Sequence, residues 1–378
     1  VSDTDLPDPL LVTQAAQLQM LAEKLASQPL IAVDTESNSL YAYQERVCLI
    51  QFSIPGEDFL VDPLALDDLS PLAPLFASPQ HEKIFHAAEY DLLCLQRDFG
   101  FSFANIFDTM VAARTLGEER VGLGSILFAE FGLRLDKRYQ RANWGKRPLP
   151  RDLLSYARLD THYLIPLRNR LLERLQQNKL WPLAAEDFNR ACRVNGRAPA
   201  SKDALCWKIN GARDLSGQQA AVLQKLCIYR DQMARKLDRP AFKVLSDRIL
   251  LSLASHCPRR REDLLAAGMT PRQVRVFGKG VLRAIRQGLN APPAHQPYAP
   301  RPSEDYLLLI EALSDWRKDQ ARRMGVNSDV ILPRSIMRKI ARQNPSDLQT
   351  LGEIMREVPW RFEKFGESIL QVVRKGAF

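Results

Sequence analysis

Apolar positions along the chain follow two rhythms, and the change from one to the other divides it. The opening stretch TQAAQLQMLAEKLAS places Ala15, Leu18, Leu21, Ala22 and Leu25 on one stripe, which predicts an amphipathic helix within residues 1–29. At Leu30 the helical period stops. Leu30, Ile31, Ala32 and Val33 form an apolar, partly β-branched run that reads as a strand buried on both faces. Residues 47–54 (VCLIQFSI) and 59–62 (FLVD) read as two more strands, separated by the turn signal Pro55-Gly56, so this part is a β-meander. Residues 83–87 (KIFHA) predict a short buried strand, and AEYDLLCLQRDFG after it a helix closed by Gly100. Residues 106–117 (IFDTMVAARTLG) read as strand, cap and helix, with Asp108 or Thr109 in the structural role of cap. Glycines 122 and 124 break the chain before a further helix. RDLLSYARLDTHYLIPLRNRLLERL then gives a longer one, with Leu153, Ala157 and Leu164 as its buried stripe and Pro166 as a kink or restart.

Residues 196–204 (GRAPASKDA) have linker composition, and everything beyond them keeps the helical rhythm. That second part contains a repeat. YRDQMARKLDRPAFKVLSDRILLSLA (residues 229–254) aligns with WRKDQARRMGVNSDVILPRSIMRKIA (316–341), 87 residues later. Tyr229 matches Trp316, Arg230 matches Arg317, Ala234 matches Ala321 and Leu245 matches Leu332. Between the copies, APPAHQPYAPRPSE (291–304) is proline-rich and reads as extended. Two helical modules of about 80 residues in tandem fit the pattern.

Charge sharpens this division. Residues 1–196 hold 20 Lys+Arg against 26 Asp+Glu, whereas residues 197–378 hold 33 against 18. An acidic front and a strongly basic back separate chemistry from capture of an anionic substrate, nucleic acid being the usual one; a solvated basic surface has the same composition. The six cysteines, at 48, 94, 192, 206, 227 and 257, form neither a zinc spacing nor a disulfide framework and read as reduced core residues. No apolar run reaches the length of a membrane span and no signal peptide is seen, so a cytoplasmic protein, taken as a monomer, is expected.

Four acids stand out against the pattern. Asp34 and Glu36 follow the buried run at once and, two apart on a strand, project to one side. Each raises the other's pKa and resists desolvation; a hard divalent cation resolves that conflict, although a strand running out into a solvated turn also explains the pair. Asp91 interrupts an apolar helix stripe beside Ala88, Cys94 and Leu95, which the dipole of a first turn tolerates or a site requires. Asp160 follows Tyr156 by one helical turn. Carboxylates from separate elements can converge on two divalent ions about 4 Å apart, the arrangement of phosphoryl displacement. Tyr156 would then orient or deprotonate the attacking water, chiefly orient it, since its intrinsic pKa near 10 makes it a poor base.

DTESNSLYAY (34–43), HAAEYDLLCL (86–95) and YARLD (156–160) resemble the three exonuclease motifs of the DEDD superfamily, in the variant whose third motif is Tyr-x-x-x-Asp. Within it the chain is similar to the ribonuclease D family: LDKRYQRANWGKRPL (135–149) matches a characteristic segment, and the repeats resemble its tandem HRDC domains. The resemblance implies an α/β N-terminal domain at residues 1–196, a ribonuclease H-like mixed sheet flanked by helices. Two all-α HRDC-type bundles would follow at 205–290 and 304–378. It implies a 3′-5′ exoribonuclease that trims RNA 3′ ends, tRNA precursors in particular, and releases nucleoside 5′-monophosphates. Asp34, Glu36, Asp91 and Asp160 would bind two divalent ions, Mg²⁺ or Mn²⁺; Tyr156 would contact the attacking water. Glu36 and the backbone around Thr35 would meet the terminal ribose.

His86 is either a substrate contact or, as a residue of a buried strand, structural; His162, two residues after Asp160, points elsewhere. The basic, aromatic loop at 134–150 offers Arg141, Lys146 and Arg147 as phosphate contacts, and the repeats offer Arg235, Lys236, Arg322 and Arg323 to hold RNA. Other readings are a DNA 3′-5′ exonuclease, since phosphodiester chemistry is common to both sugars, and a nucleic-acid-binding adaptor on an inert exonuclease fold. A helicase accessory is suggested only by the repeats, and no G-x-x-x-x-G-K-[ST] loop is present to power one.

Overall fold

A computed structural model of the chain describes residues 6–136, 138–193, 206–296 and 301–376. The linker at 196–204 lies outside the described residues, as do residues 297–300 of the proline-rich segment. The chain divides into two compact units: residues 1–37, 47–196 and 301–378 form one, residues 38–46 and 197–300 the other.

The first unit is built on a six-stranded mixed sheet of order β1-β4-β3-β2-β5-β6. From β2 (Leu30–Ser37) the chain runs antiparallel into β3 (Val47–Ile54) and β4 (Glu57–Val61), which is the meander the sequence predicts. β5 (Glu82–Phe85) and β6 (Ile106–Asp108) extend the other side in parallel, as crossovers through helices require. β1 (Leu10–Val12), parallel to β4, was not expected. Three residues carry no readable period; pairing with β4 makes them a strand.

Among the described residues, eight α-helices of this unit come from the front of the chain: α1 (Ala15–Ala26), α2 (Ala73–Ala77), α3 (Glu89–Phe99), α4 (Thr109–Thr115), α5 (Leu123–Phe131), α6 (Arg151–His162), α7 (Leu164–Gln177) and α8 (Trp181–Ala191). They cover both faces of the sheet. Ile31 and Val33 enter one core with Leu18 and Leu25 of α1 and Leu92 and Leu95 of α3. Ala32 enters the opposite core with Ile84, Phe107, and Leu164 and Leu167 of α7. A strand covered on both sides is apolar at every position, as residues 30–33 are. Of the predicted α1 stripe, Leu18, Leu21 and Leu25 are buried but Ala15, the first helical residue, is exposed. Gly100 closes α3 in the left-handed conformation, φ +70°, and the long helix breaks at Tyr163, so Pro166 stands in the first turn of α7.

Both repeats form their own helical cores. The first comprises α9 (Gly217–Lys236), α10 (Ala241–Val244), α11 (Asp247–His256), α12 (Asp263–Ala266) and α13 (Pro271–Leu289). The second comprises α14 (Glu304–Met324), α15 (Ser328–Ile331), α16 (Arg334–Gln343), α17 (Leu348–Ile354) and α18 (Pro359–Gly376). The repeat extends to single bonds. Arg230 Nη1 donates to the Leu245 carbonyl at 3.1 Å, and its counterpart Arg317 Nη1 donates to that of Leu332 at the same 3.1 Å. The first module groups with the β2–β3 loop, where the Tyr43 hydroxyl donates to Asp231 at 2.7 Å and the Lys243 ammonium lies 4.0 Å over the Tyr41 ring. Among the described residues no helix is long and apolar enough to cross a membrane.

The second module belongs to the first unit, and a buried ion pair shows why. Arg361 in α18 is fully buried; its guanidinium donates to Glu186 and Asp187 of α8, 2.8 Å each, and to the Val330 carbonyl at 2.8 Å. Glu186 in turn accepts from the Trp360 and Arg361 amides, capping α18. Removing one partner of a buried pair strands the other. Arg361→Ala is therefore expected to lower unfolding free energy by about 3–5 kcal/mol, and the apolar pair Arg361→Met with Glu186→Leu to lose less. Urea denaturation reads both, and a loss under about 1 kcal/mol for Arg361→Ala would show that this pair does not hold the module.

Candidate active site

Along β2, pairing with β5 covers only Leu30–Ala32, while pairing with β3 runs on to Ser37, setting Asp34 opposite Gln51 and Glu36 opposite Leu49. The two acids lie at the end of the strand, as expected, on a stretch whose β5 side is left open. By the two-residue period Asp34 and Glu36 share a face with Ala32. α6 lies across that face, with Tyr156 and Ala157 packed against Cys48, Leu49 and Leu60, and it delivers Asp160 one turn later. Carboxylate oxygens of Asp34, Glu36 and Asp160 lie within 4.8 Å of one another.

Asp91 stands beside this trio rather than in it. It is the third residue of α3, where the helix dipole favours an acid, and it accepts a hydrogen bond from the Thr35 hydroxyl, on the opposite side of β2 from Asp34 and Glu36. The first turn tolerates the charge, and the Thr35 hydroxyl holds the carboxylate there. The approach of α3 is set by Asp108. Its carboxylate caps α4 through the Met110 and Val111 amides at 2.8 and 3.1 Å, as expected of a cap. It also accepts from Ala87 and Ala88, at 3.0 and 2.8 Å, and so pins the turn before α3, where Ala87 is held at φ +65°.

Electrostatics confirm that the acids crowd one another. Asp34, Glu36 and Asp160 are half-buried and Asp91 is buried, and burial is the largest cause of every shift. Burial, then Asp91, Asp160 and Glu36, push Asp34 well above the ordinary carboxylate range. Burial, then Asp160 and Asp91, push Glu36 up to about 9. Burial raises Asp91 to about 7, partly offset by the Thr35 hydrogen bond; burial, then Asp91, raise Asp160 to about 7. Tyr156, only 8% exposed, is raised by burial and by Asp160, Glu36 and Asp34, so its phenol stays protonated well past neutral pH. Its ring lies against Tyr139 and Trp144 of the basic loop, centroids 5.6 and 6.3 Å away.

Other predicted residues separate. His86 bonds Thr109 through Nδ1 at 2.9 Å, and burial lowers its pKa, consistent with a structural role. His162 points away from the trio and meets Asp58 at 2.9 Å. Arg147, expected at a phosphate, is committed elsewhere: its guanidinium grips Asp62 with two bonds of 2.6 and 2.7 Å and donates to the Cys48 and Trp144 carbonyls. Its fork fastens the loop to the sheet. Arg141 and Lys146 are exposed on that loop, Arg235 is exposed in the last turn of α9, and Arg322 pairs with Asp319. Sequence reasoning passed over the Thr35 side chain and Gln51, which is fully buried and donates to Asp34 at 3.4 Å. A glutamine inside VCLIQFSI was a usable signal; Thr35 gave none, because only its pairing with Asp91 marks it.

The residues fit a divalent metal. Every donor is a hard carboxylate oxygen, the ligand type that Mg²⁺ and Mn²⁺ take. The raised pKa values are what clustered acids show when no cation neutralises them.

Comparison with known proteins agrees with this geometry. The profile of a 3′-5′ exonuclease family matches residues 9–176, and that of the HRDC domain matches residues 219–285 and 307–373. Ribonuclease D of Pseudomonas paraeruginosa is 29% identical over 97% of this chain and 98% of its own. Protein RRP6-like 3 of Arabidopsis thaliana is 34% identical over 67% of this chain, which spans only 31% of that longer protein. Among solved structures, that of Escherichia coli RNase D, described as an exoribonuclease involved in structured RNA processing, superimposes with a TM-score of 0.72. It is 25% identical and the match covers 98% of this chain and 99% of that one.

Folded carboxyls with raised pKa values hold protons that the unfolded chain gives up near pH 4, so stability falls as pH rises and levels off only above the folded values. In the metal-free protein the melting temperature should drop between pH 5 and 9, spanning the values near 7 for Asp91 and Asp160 and near 9 for Glu36. Asp160→Asn should flatten that slope and stabilise the metal-free protein at pH 8 by about 1–2 kcal/mol. A calorimetric series in chelator checks it; an Asp160→Asn protein less stable than wild type would contradict the crowding.

Proposed function

The chain belongs to the ribonuclease D-type 3′-5′ exonuclease family, with two HRDC domains after its exonuclease domain, and we propose that it is a 3′-5′ exoribonuclease. The observation that carries this reading is the gathering of Asp34, Glu36 and Asp160 beside Tyr156, within the residues that the exonuclease profile spans. The reaction is hydrolysis. A water oxygen bonds to the terminal phosphorus, and the bond from that phosphorus to the 3′ oxygen of the penultimate nucleotide breaks. A nucleoside 5′-monophosphate leaves, and the shortened RNA keeps a free 3′ hydroxyl.

Asp34, Glu36, Asp91 and Asp160 would hold two divalent ions, Mg²⁺ or Mn²⁺. When bound, these make a water acidic enough to attack at neutral pH and neutralise charge on the leaving oxygen. The chain's own residues do the rest. Thr35 holds Asp91 in place by its hydroxyl, and the Gln51 side-chain amide donates to Asp34. Tyr156, a protonated phenol wedged against Tyr139 and Trp144, directs its O–H at the water and fixes its orientation. Glu36 and the Thr35 backbone meet the terminal ribose, and RNA 3′ ends such as those of tRNA precursors are the substrates.

Asp34→Asn and Asp160→Asn should each reduce cleavage of 5′-labelled RNA to background while the protein stays folded. Tyr156→Phe should keep Mn²⁺ affinity by calorimetry and lose roughly a hundredfold in kcat. Wild-type protein should shed monophosphates and leave a ladder shortened from the 3′ side. Faster digestion of a matched DNA strand, or internal cleavage, would overturn the exoribonuclease reading.

A further inference from the structure

Helix α13 closes the first HRDC module and turns one face inward. Val274, Phe277, Val281 and Ile285 are buried there, and two glycines let the helix approach α9 closely. A Cβ at Gly280 would sit 2.3 Å from the Tyr229 ring, and one at Gly288 would sit 2.4 Å from the Val222 Cα. These contacts fix the rotation of the helix and so decide what faces out. The outward face carries Arg272, Arg275, Lys279, Arg283 and Arg286, all exposed. At 100° and 1.5 Å per residue they fall within about 80° of arc along about 21 Å. PRQVRVFGKGVLRAIRQGL contains no acid, and among the described residues no carboxylate reaches ion-pair distance of any of the five. A shallow cavity of about 320 Å³ runs beside Lys279, Arg283 and Arg286.

The second module provides an internal comparison. Aligning the two repeats in sequence pairs Phe277 with Phe365, Gly278 with Gly366 and Val281 with Ile369, and so sets Trp360, Glu363, Glu367, Gln371 and Arg374 at the positions of the five cations. One fold thus carries five positive charges in one copy, and two acids with a single cation in the other. The matching end of α18 is instead spent on docking, through Trp360 and Arg361 against Glu186.

We propose that the α13 stripe is the chain's track for the sugar–phosphate backbone of single-stranded RNA upstream of the 3′ end, and that its counterpart α18 provides no such track. This rests on the exoribonuclease reading above. A ladder of like charges at regular spacing matches a regular polyanion, and guanidinium, four of the five groups, suits phosphate geometry. The stripe carries no aromatic anchor of the kind on which a protein partner's interface centres. Arg235, exposed beside Lys236 at the end of α9, and Arg322, paired with Asp319, form no ladder of this length.

The full chain carrying Arg275→Glu, Lys279→Glu and Arg283→Glu, titrated in EDTA with a fluorescent 30-nucleotide RNA, should bind at least tenfold more weakly. Its log–log salt slope should shrink by about 2. Hydrolysis of a dinucleotide with Mn²⁺ should stay within twofold of wild type. An equal charge reversal in the second module, Arg342→Glu, Lys364→Glu and Lys375→Glu, should leave binding within twofold. Circular dichroism establishes folding, and should the triple glutamate unfold, the triple glutamine at the same positions is read instead. Unchanged binding by the α13 variant, or equal loss in both variants, overturns the track. Wild-type protein that binds the RNA through α13 but hydrolyses none would overturn the catalytic reading and leave the track standing; one that binds no RNA overturns both.

Discussion

Negative charge held at close quarters is the constraint on which the first unit depends. Three carboxylates whose oxygens lie within 4.8 Å, with a fourth beside them, would push a loosely built fold apart. Burial weakens the water that could screen them, which is why Glu36 takes a proton at a pH near 9. The fold tolerates this because the acids are held by three rigid elements: two on a central strand, one in the first turn of a helix, one on the helix across the sheet. A neutral phenol completes the cluster. Such stored repulsion is released by cation binding, so scaffold strain and metal affinity are two sides of one free energy.

Support for that arrangement comes from groups that carry no chemistry themselves. Asp108 accepts four backbone amides and thereby joins the end of β6, the start of α4 and the turn that launches α3. Thr35, between the two strand acids in sequence, faces the other way and reaches Asp91. Arg147 ties the aromatic loop to Asp62, which keeps Trp144 and Tyr139 against the phenol of Tyr156. A position that looks suited to phosphate by composition serves instead to hold the wall of the site.

The two helical modules show how one sequence repeat can acquire separate physical roles. Their cores and the Arg230 and Arg317 bonds coincide. Their outer faces do not, because nothing in the core constrains the exposed positions of the last helix. In the second copy the first turn of that helix meets α8, where the buried Arg361 pair fixes the contact, and the exposed positions Glu363, Glu367, Gln371 and Arg374 are of mixed charge; in the first they are exposed and basic.

Sequence by itself determined the periodic parts of this protein: the meander, the helix stripes, the repeat, and the residue types of the site. Each of these is a local property, readable because neighbours in the chain share one rhythm. The four acids and the phenol were legible as oddities within those rhythms. Tertiary structure decided what no rhythm encodes: that β1 is a strand at all, that Asp91 stands beside the trio under Thr35, and that Arg147 is structural. It also decided that the last module belongs with the sheet. Those outcomes depend on partners 49 to 175 positions away, such as β1 with β4, Thr35 with Asp91 and Arg361 with Glu186, and contacts of that range leave no local pattern to read.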